Sequence, residues 1–142
     1  MITVMEVKNM NTPLKYSRQR ESIKEYLMST KEHPTADMVY QHVRQIYPKV
    51  SLGTVYRNLN LLAEIGEVIK IDCGDGYDHF DANIEPHYHV VCNKCSKVYD
   101  LEMEPIGHID VLAGAHFKGK ITGHNLMFFG ICEECLENEI QE

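Results

Sequence analysis

Residues 51–81, SLGTVYRNLNLLAEIGEVIKIDCGDGYDHFD, decide how this chain folds. Ser51 is a good N-cap, and Val55, Leu59 and Leu62 recur at i, i+4 and i+7, the spacing of one helical face. Gly66 is the residue expected just past such a helix, where the backbone turns left-handed. EVIKID and YDHFD then flank CGDG, which reads as a β-hairpin. Opposite the apolar stripe of the helix stand Thr54, Tyr56, Arg57 and Asn60.

Upstream, Ser17 is placed to cap a helix reaching about Met28, with Ile23, Tyr26 and Leu27 on one face. His33-Pro34 breaks the chain. Thr35 then caps a second helix in which Val39, Val43 and Ile46 recur and which Pro48 stops. Residues 1–16, with Pro13 in a polar stretch, read as loose. Three short helices followed by a hairpin make a winged helix-turn-helix. After about Asn83 the signal changes. HYHVVC, KVYDLE and NLMFFGI are rich in aromatic and β-branched residues, and a helix is expected between Pro105 and His116. The fold class is therefore α+β: a winged-helix domain over residues 1–82, then a small α/β domain over residues 83–142.

The 142 residues, 44% hydrophobic and 25% charged, match a soluble globular chain and exclude a disordered one. No apolar run approaches the ~20 residues of a membrane span. MITVMEVKNMNTPLK lacks the apolar core of a signal peptide, so a cytoplasmic location is expected. The net charge of −7 speaks against nucleic acid, but its distribution does not. Residues 1–60 carry nine Lys/Arg against five Asp/Glu, whereas residues 83–142 carry four against ten. A basic front half can meet phosphates whatever the total charge. In that half the guanidinium of Arg57 suits guanine O6/N7, and Tyr56 suits a thymine methyl or a phosphate; ordinary helix surface is the plain alternative.

Five cysteines in an intracellular protein argue against a disulfide framework. Four form two CxxC knuckles, Cys92/Cys95 and Cys132/Cys135. Together they offer four thiolates, the closed tetrahedral shell of structural zinc, and two redox-active pairs are the weaker reading. His87 and His89 lie on the same strand as Cys92 but with the opposite parity, so they point to the other face. Two separate sites are expected. Asp81 and Asp100, on neighbouring strands, and His33, between the first two helices, are the candidate partners of the histidine pair. Nitrogen and carboxylate ligands without thiolate suit Fe(II), Mn(II) or zinc. The remaining candidates read more plainly. Cys73 is an incidental thiol, His79 is exposed, and His42, His108 and His116 have no evident partner. His124, before the last strand, is a further candidate metal ligand, and the C-terminal Asp/Glu run is a solvated face.

With these residues in hand, the chain resembles the Fur family of metal-dependent repressors over nearly its whole length. The resemblance rests on HPTADMVY at 33–40, SLGTVYRNLNLL at 51–62, HFD at 79–81, HYHVVCNKCSKVYDL at 87–101 and FFGICEEC at 128–135. It implies a homodimer on double-stranded operator DNA, with no membrane, in which the second domain is the dimerisation domain and Thr54, Tyr56 and Arg57 face DNA. It implies that Cys92, Cys95, Cys132 and Cys135 hold structural zinc. His33, Asp81, His87, His89 and Asp100 would form a regulatory Fe(II) or Mn(II) site across the hinge. Asp100, Asp81 and HPTAD look like the peroxide-sensing PerR branch, in which peroxide oxidises the residues matching His33 and His87. A further site in many iron-uptake regulators uses a residue matching His124, but Tyr88 and Gly107 stand where its carboxylates are expected. Iron-responsive and zinc-responsive repressors of the same family are the nearest alternatives. A zinc hydrolase using His87, His89 and a carboxylate would need a base, and only Glu85 is near.

Overall fold

A computed structural model describes residues 14–141. The reading of residues 1–13 as loose lies outside the described residues. Helix α1 spans Arg18–Ser29, α2 Ala36–Val43 and α3 Leu52–Glu64. Strands β1 (Ile69–Asp72) and β2 (Asp78–Asp81) form the hairpin; β3 (Tyr88–Cys92) and β4 (Val98–Leu101) follow. Helix α4 (His108–Gly114), strand β5 (Met127–Gly130) and helix α5 (Glu133–Gln141) complete the chain.

The three front helices start where hydroxyl side chains satisfy their free N–H groups. Ser17 accepts from the Arg20 N–H, Thr35 from Met38 and Ser51 from Thr54. Gly66 ends α3 at φ 80°, a conformation that favours glycine. The apolar faces of the helices meet in one core. Ile23 and Leu27 of α1, Val39 and Val43 of α2, and Val55, Leu59 and Leu62 of α3 close around Phe80 of β2. α2 stops at Val43, earlier than its pattern suggests, and Ile46 lies in the following turn at 55% exposure rather than in the core. His42, which the sequence leaves without a partner, stacks on Tyr26 with ring centroids 4.0 Å apart.

The rear sheet has the order β4-β3-β5. β4 is antiparallel to β3, with His89 opposite Asp100; β5 is parallel to β3, with Cys92 opposite Gly130. β1 and β2 form a separate sheet, so Asp81 does not sit on a strand neighbouring β3 as expected but on the winged-helix hairpin. The two units also touch through apolar side chains. Ile71 and Cys73, from the hairpin, share a buried cluster with Val91 and Val98 of the rear sheet, and Met127 packs against it. Cys73 is therefore a packing residue, and burial pushes its thiol up to about 11. Helix α5 has no counterpart in the sequence reading. It begins at the second knuckle, where the Leu136 N–H donates to the Cys132 carbonyl at 2.9 Å. Neither α4 nor α5 has a buried residue within this single chain.

Candidate metal centres and nucleic-acid face

The four cysteines converge at one end of the rear sheet. The Cys92–Gly130 register brings the chain after β5 alongside β3, two residues short of Cys132. The first knuckle is a tight turn: the Ser96 N–H donates to the Cys92 carbonyl at 2.9 Å, with Ser96 at φ 64°. Cys92 Sγ accepts the N–H groups of Lys94, Cys95 and Cys132 at 3.4, 3.4 and 3.3 Å. Cys132 N–H leads the donors that lower the Cys92 thiol to about 6, so it is poised as a thiolate. The Cys132 thiol is lowered as well, by the Cys135 N–H first and then by the Tyr99 hydroxyl. Cys95 Sγ and Cys132 Sγ lie 3.8 Å apart. Four Zn–S bonds of ~2.3 Å at tetrahedral angles require a sulfur separation of ~3.8 Å. The four sulfurs, all within 4.8 Å of one another, fit a zinc ion.

On the other face of β3 lies the second cluster: Asp81 comes from β2, His89 from β3 and Asp100 from β4, while His33 sits in the loop before α2 and His87 just ahead of β3, not on the strand as expected, because pairing with β4 begins at Tyr88. Asp81 Oδ2 is 2.8 Å from His87 Nε2, 3.2 Å from His89 Nε2 and 3.5 Å from His33 Nδ1. Asp100 Oδ1 is 2.9 Å from His33 Nε2, 3.1 Å from His87 Nε2 and 3.4 Å from His89 Nε2. His33, Asp81, His89 and Asp100 each offer a donor atom within 4.8 Å of all the others. His87 joins them through both carboxylates. Bonds of ~2.1 Å at right angles place neighbouring donors ~3.0 Å apart, so the set fits a divalent cation of the Fe, Mn or Zn type.

The electrostatics suit a cation. Burial alone would raise Asp81, yet hydrogen bonds from His89, the Asn83 N–H and His87 hold its carboxyl at about 2. Burial lowers the His33 imidazole, against the pull of Asp81 and Asp100, which keeps a ligand lone pair free. His87 goes the other way. Burial lowers it too, but its hydrogen bonds to the Glu85 carbonyl and Asp81 outweigh that. His87 and Asp100 also line an open cleft of ≈ 400 Å³.

Helix α3 keeps its polar face free. Tyr56 is 40% exposed and Arg57 is exposed, while Thr54 is half-buried. The Arg57 guanidinium donates to Thr54 Oγ1 at 3.0 Å, and that oxygen lies 2.9 Å from Ser51 Oγ. Two hydroxyls thus prearrange the guanidinium on the helix surface.

Three groupings escaped the sequence reading. His79, expected exposed, is 7% exposed, with both ring nitrogens engaged by the His33 carbonyl and Asp75. His124 lies 2.6 Å from the Tyr88 hydroxyl and 2.7 Å from Asp110, and so ties α4 to β3. Tyr99 sits opposite Val90 on the cysteine face; strand alternation counted from Asp100 would have placed it there.

Comparison with known proteins follows the same lines. The model of the ferric uptake regulator family matches residues 11–129. The peroxide-responsive repressor PerR of Staphylococcus epidermidis is 37% identical over 119 residues, covering 84% of this chain and 79% of the relative. The peroxide stress regulator of Campylobacter jejuni is 28% identical, with a TM-score of 0.70, covering 92% of this chain and 93% of that one. The ferric uptake regulator Fur of Helicobacter pylori superposes with a TM-score of 0.75 over 93% of this chain and 87% of its own; at 24% identity that likeness is one of fold.

Proposed function

Since the chain belongs to the ferric uptake regulator family, we propose that it is a metal-dependent repressor of the peroxide-responsive type in which the hinge cluster is the sensing site. It is a transcriptional regulator rather than an enzyme. Zinc serves structure and Fe(II) or Mn(II) serves regulation. Zinc belongs with Cys92, Cys95, Cys132 and Cys135, and the regulatory ion with His33, Asp81, His87, His89 and Asp100. The boundary between the DNA-binding and dimerisation domains falls at 82/83.

One observation carries the reading. His33 and Asp81 come from the winged-helix side and His87, His89 and Asp100 from the rear half, yet their donor atoms approach to 2.8–3.5 Å. Five ligands drawn from two bodies fix the angle between them. In a two-fold dimer that angle sets the spacing and tilt of the two α3 helices, and so decides whether both enter major-groove half-sites. Metal and operator favour the same pose, so each tightens the other by the same factor. Thr54, Tyr56 and Arg57 then face the operator, and Arg57 is held ready for a guanine edge.

The rear half supports a dimer. Val111, Leu112, Phe129 and Ile140 are 61–81% exposed, a set of apolar side chains that a single chain leaves in water. The site of action is the cytoplasm, where operators are; among the described residues no helix is long and apolar enough to cross a membrane.

Fe(II) held by His33, Asp81, His87, His89 and Asp100 would supply reducing power toward hydrogen peroxide, and its imidazole ligands would be the side chains exposed to the oxidant. Of the three imidazoles around Asp100 Oδ1, His33 and His87 stand nearest, at 2.9 and 3.1 Å against 3.4 Å for His89, and His87 opens on the cleft. An oxidised imidazole would ligate poorly, so the hinge would loosen and the operator would be released. The decisive experiment compares Fe(II), Mn(II) and Zn(II) loading by elemental analysis with operator binding, before and after peroxide. His33→Ala should keep its dimer and zinc but lose metal-dependent operator binding. Binding retained at wild-type strength would overturn the hinge reading.

A further inference from the structure

We propose that Asp75 and His79, neither of them a ligand, form a positioning pair that aims His33 into the hinge cluster and thereby sets its affinity for the regulatory metal. The inference rests on the reading of that cluster as the regulatory site.

His33 has φ 51°, in the left-handed region that residues with a side chain rarely adopt. Its ring is nonetheless 2% exposed and aimed at Asp100. Pro34 follows it, which further restricts the conformations open to residue 33. The conformation is held from outside, by the hairpin. His79 Nδ1–H donates to the His33 carbonyl at 2.8 Å. The Phe80 N–H donates to the Pro34 carbonyl at 3.0 Å, and Thr35 bridges to His79. The clamp continues outward. His79 Nε2 lies 2.8 Å from Asp75 Oδ2, and the other oxygen of Asp75 accepts the Tyr77 N–H at 3.0 Å. Hydrogen bonding to His79 holds the Asp75 carboxyl below its usual range.

Both ring nitrogens of His79 are therefore spent on positioning. Asp81, a ligand, stands two residues further along the same strand. Clamp and ligand are one rigid piece of β2, so His33 and Asp81 keep a fixed relation. Without the His79 bond the turn spreads over several backbone states, only one of which presents the ring. Apparent metal affinity falls by the fraction of time the turn spends elsewhere.

The test is Mn(II) titration of the zinc-loaded, full-length protein by calorimetry, with zinc content and thermal unfolding followed in parallel. His79→Leu should weaken Mn(II) binding by about 10–100-fold, the usual cost of losing a partner that orients a ligand. Zinc should stay at the wild-type ratio. His79→Arg, whose guanidinium can donate to both the carbonyl and the carboxylate, should restore most of the affinity. A His79→Leu protein that binds Mn(II) as tightly as wild type would overturn the proposal. So would one that His79→Arg fails to improve, because the loss would then be one of packing. Should His79→Leu fail to fold, Asp75→Ala, at the exposed loop, is read against the same two outcomes. His33→Ala separates the layers: unchanged Mn(II) affinity there would overturn the site assignment itself, whereas a loss there with none in the pair would overturn the positioning role alone.

Discussion

Ile71→Ala tests how much of the closed pose is held without metal. Ile71 is 6% exposed and lies on the hairpin, yet its neighbours Val91 and Val98 belong to the rear sheet. Truncating a buried isoleucine costs about 2–5 kcal/mol, the larger values where the site cannot collapse. The site is bordered by Met127, an adaptable side chain, so the lower end applies. Taking about 2 kcal/mol as confined to the closed pose, Mn(II) affinity should fall about thirtyfold, because each 1.4 kcal/mol is a factor of ten. The reasoning is linkage: whatever disfavours the pose the metal needs is subtracted from metal binding. The assay is calorimetric titration of the zinc-loaded protein with Mn(II), beside a thermal scan without it. Wild-type affinity with a lowered melting temperature would refute the argument. The Ile71 contact would then belong to folding as a whole and not to the angle between the two bodies.

Three further outcomes follow from the same geometry. Asp100→Glu adds a methylene where Oδ1 already sits 2.9–3.4 Å from three imidazoles, so it should alter the ligand shell. Metal-dependent repression should survive while peroxide adds oxygen to peptides carrying His33 or His87 more slowly; an unchanged rate by mass spectrometry would remove the ground for preferring the peroxide-sensing type. Arg57→Ala should cost about 1–3 kcal/mol of discrimination at one base position, read from gel shifts on single-base operator variants. Cys73 should resist iodoacetamide at pH 8 in the folded protein. Alkylation needs the thiolate, a pKa raised to about 11 empties that form, and the rate should be about a hundredfold below that of the unfolded chain.

Much of this was legible in the sequence because periodicity and parity are local properties. The i, i+4, i+7 stripe of α3 gave its buried face, and Val55, Leu59 and Leu62 are all fully buried. Alternation along HYHVVC separated histidines from cysteines, and the two clusters lie on opposite faces of β3. What stayed hidden depends on contacts far apart in the chain. Asp81 belongs to a sheet separate from β3, which no local pattern reports. His79 looked like one side of an exposed hairpin; a carbonyl 46 residues away buries it. Helix α5 was masked by its own chemistry, since a knuckle that contains two glutamates and is followed by two more by residue 139 reads as a ligand loop and a solvated tail. Ile46 failed for the opposite reason: its spacing is right, but the helix ends at Val43 before the spacing can act.

Strand β3 turns His89 toward one cluster and Cys92 toward the other, and this gives the molecule separable parts. With the ions placed as proposed, a carboxylate exchanged at position 81 or 100 would retune which cation is answered and leave the thiolates untouched. Conversely, a change in the knuckles would alter durability and leave selectivity alone. Selection can therefore turn one dial at a time, and a single pleat suffices to insulate a responsive centre from a permanent one.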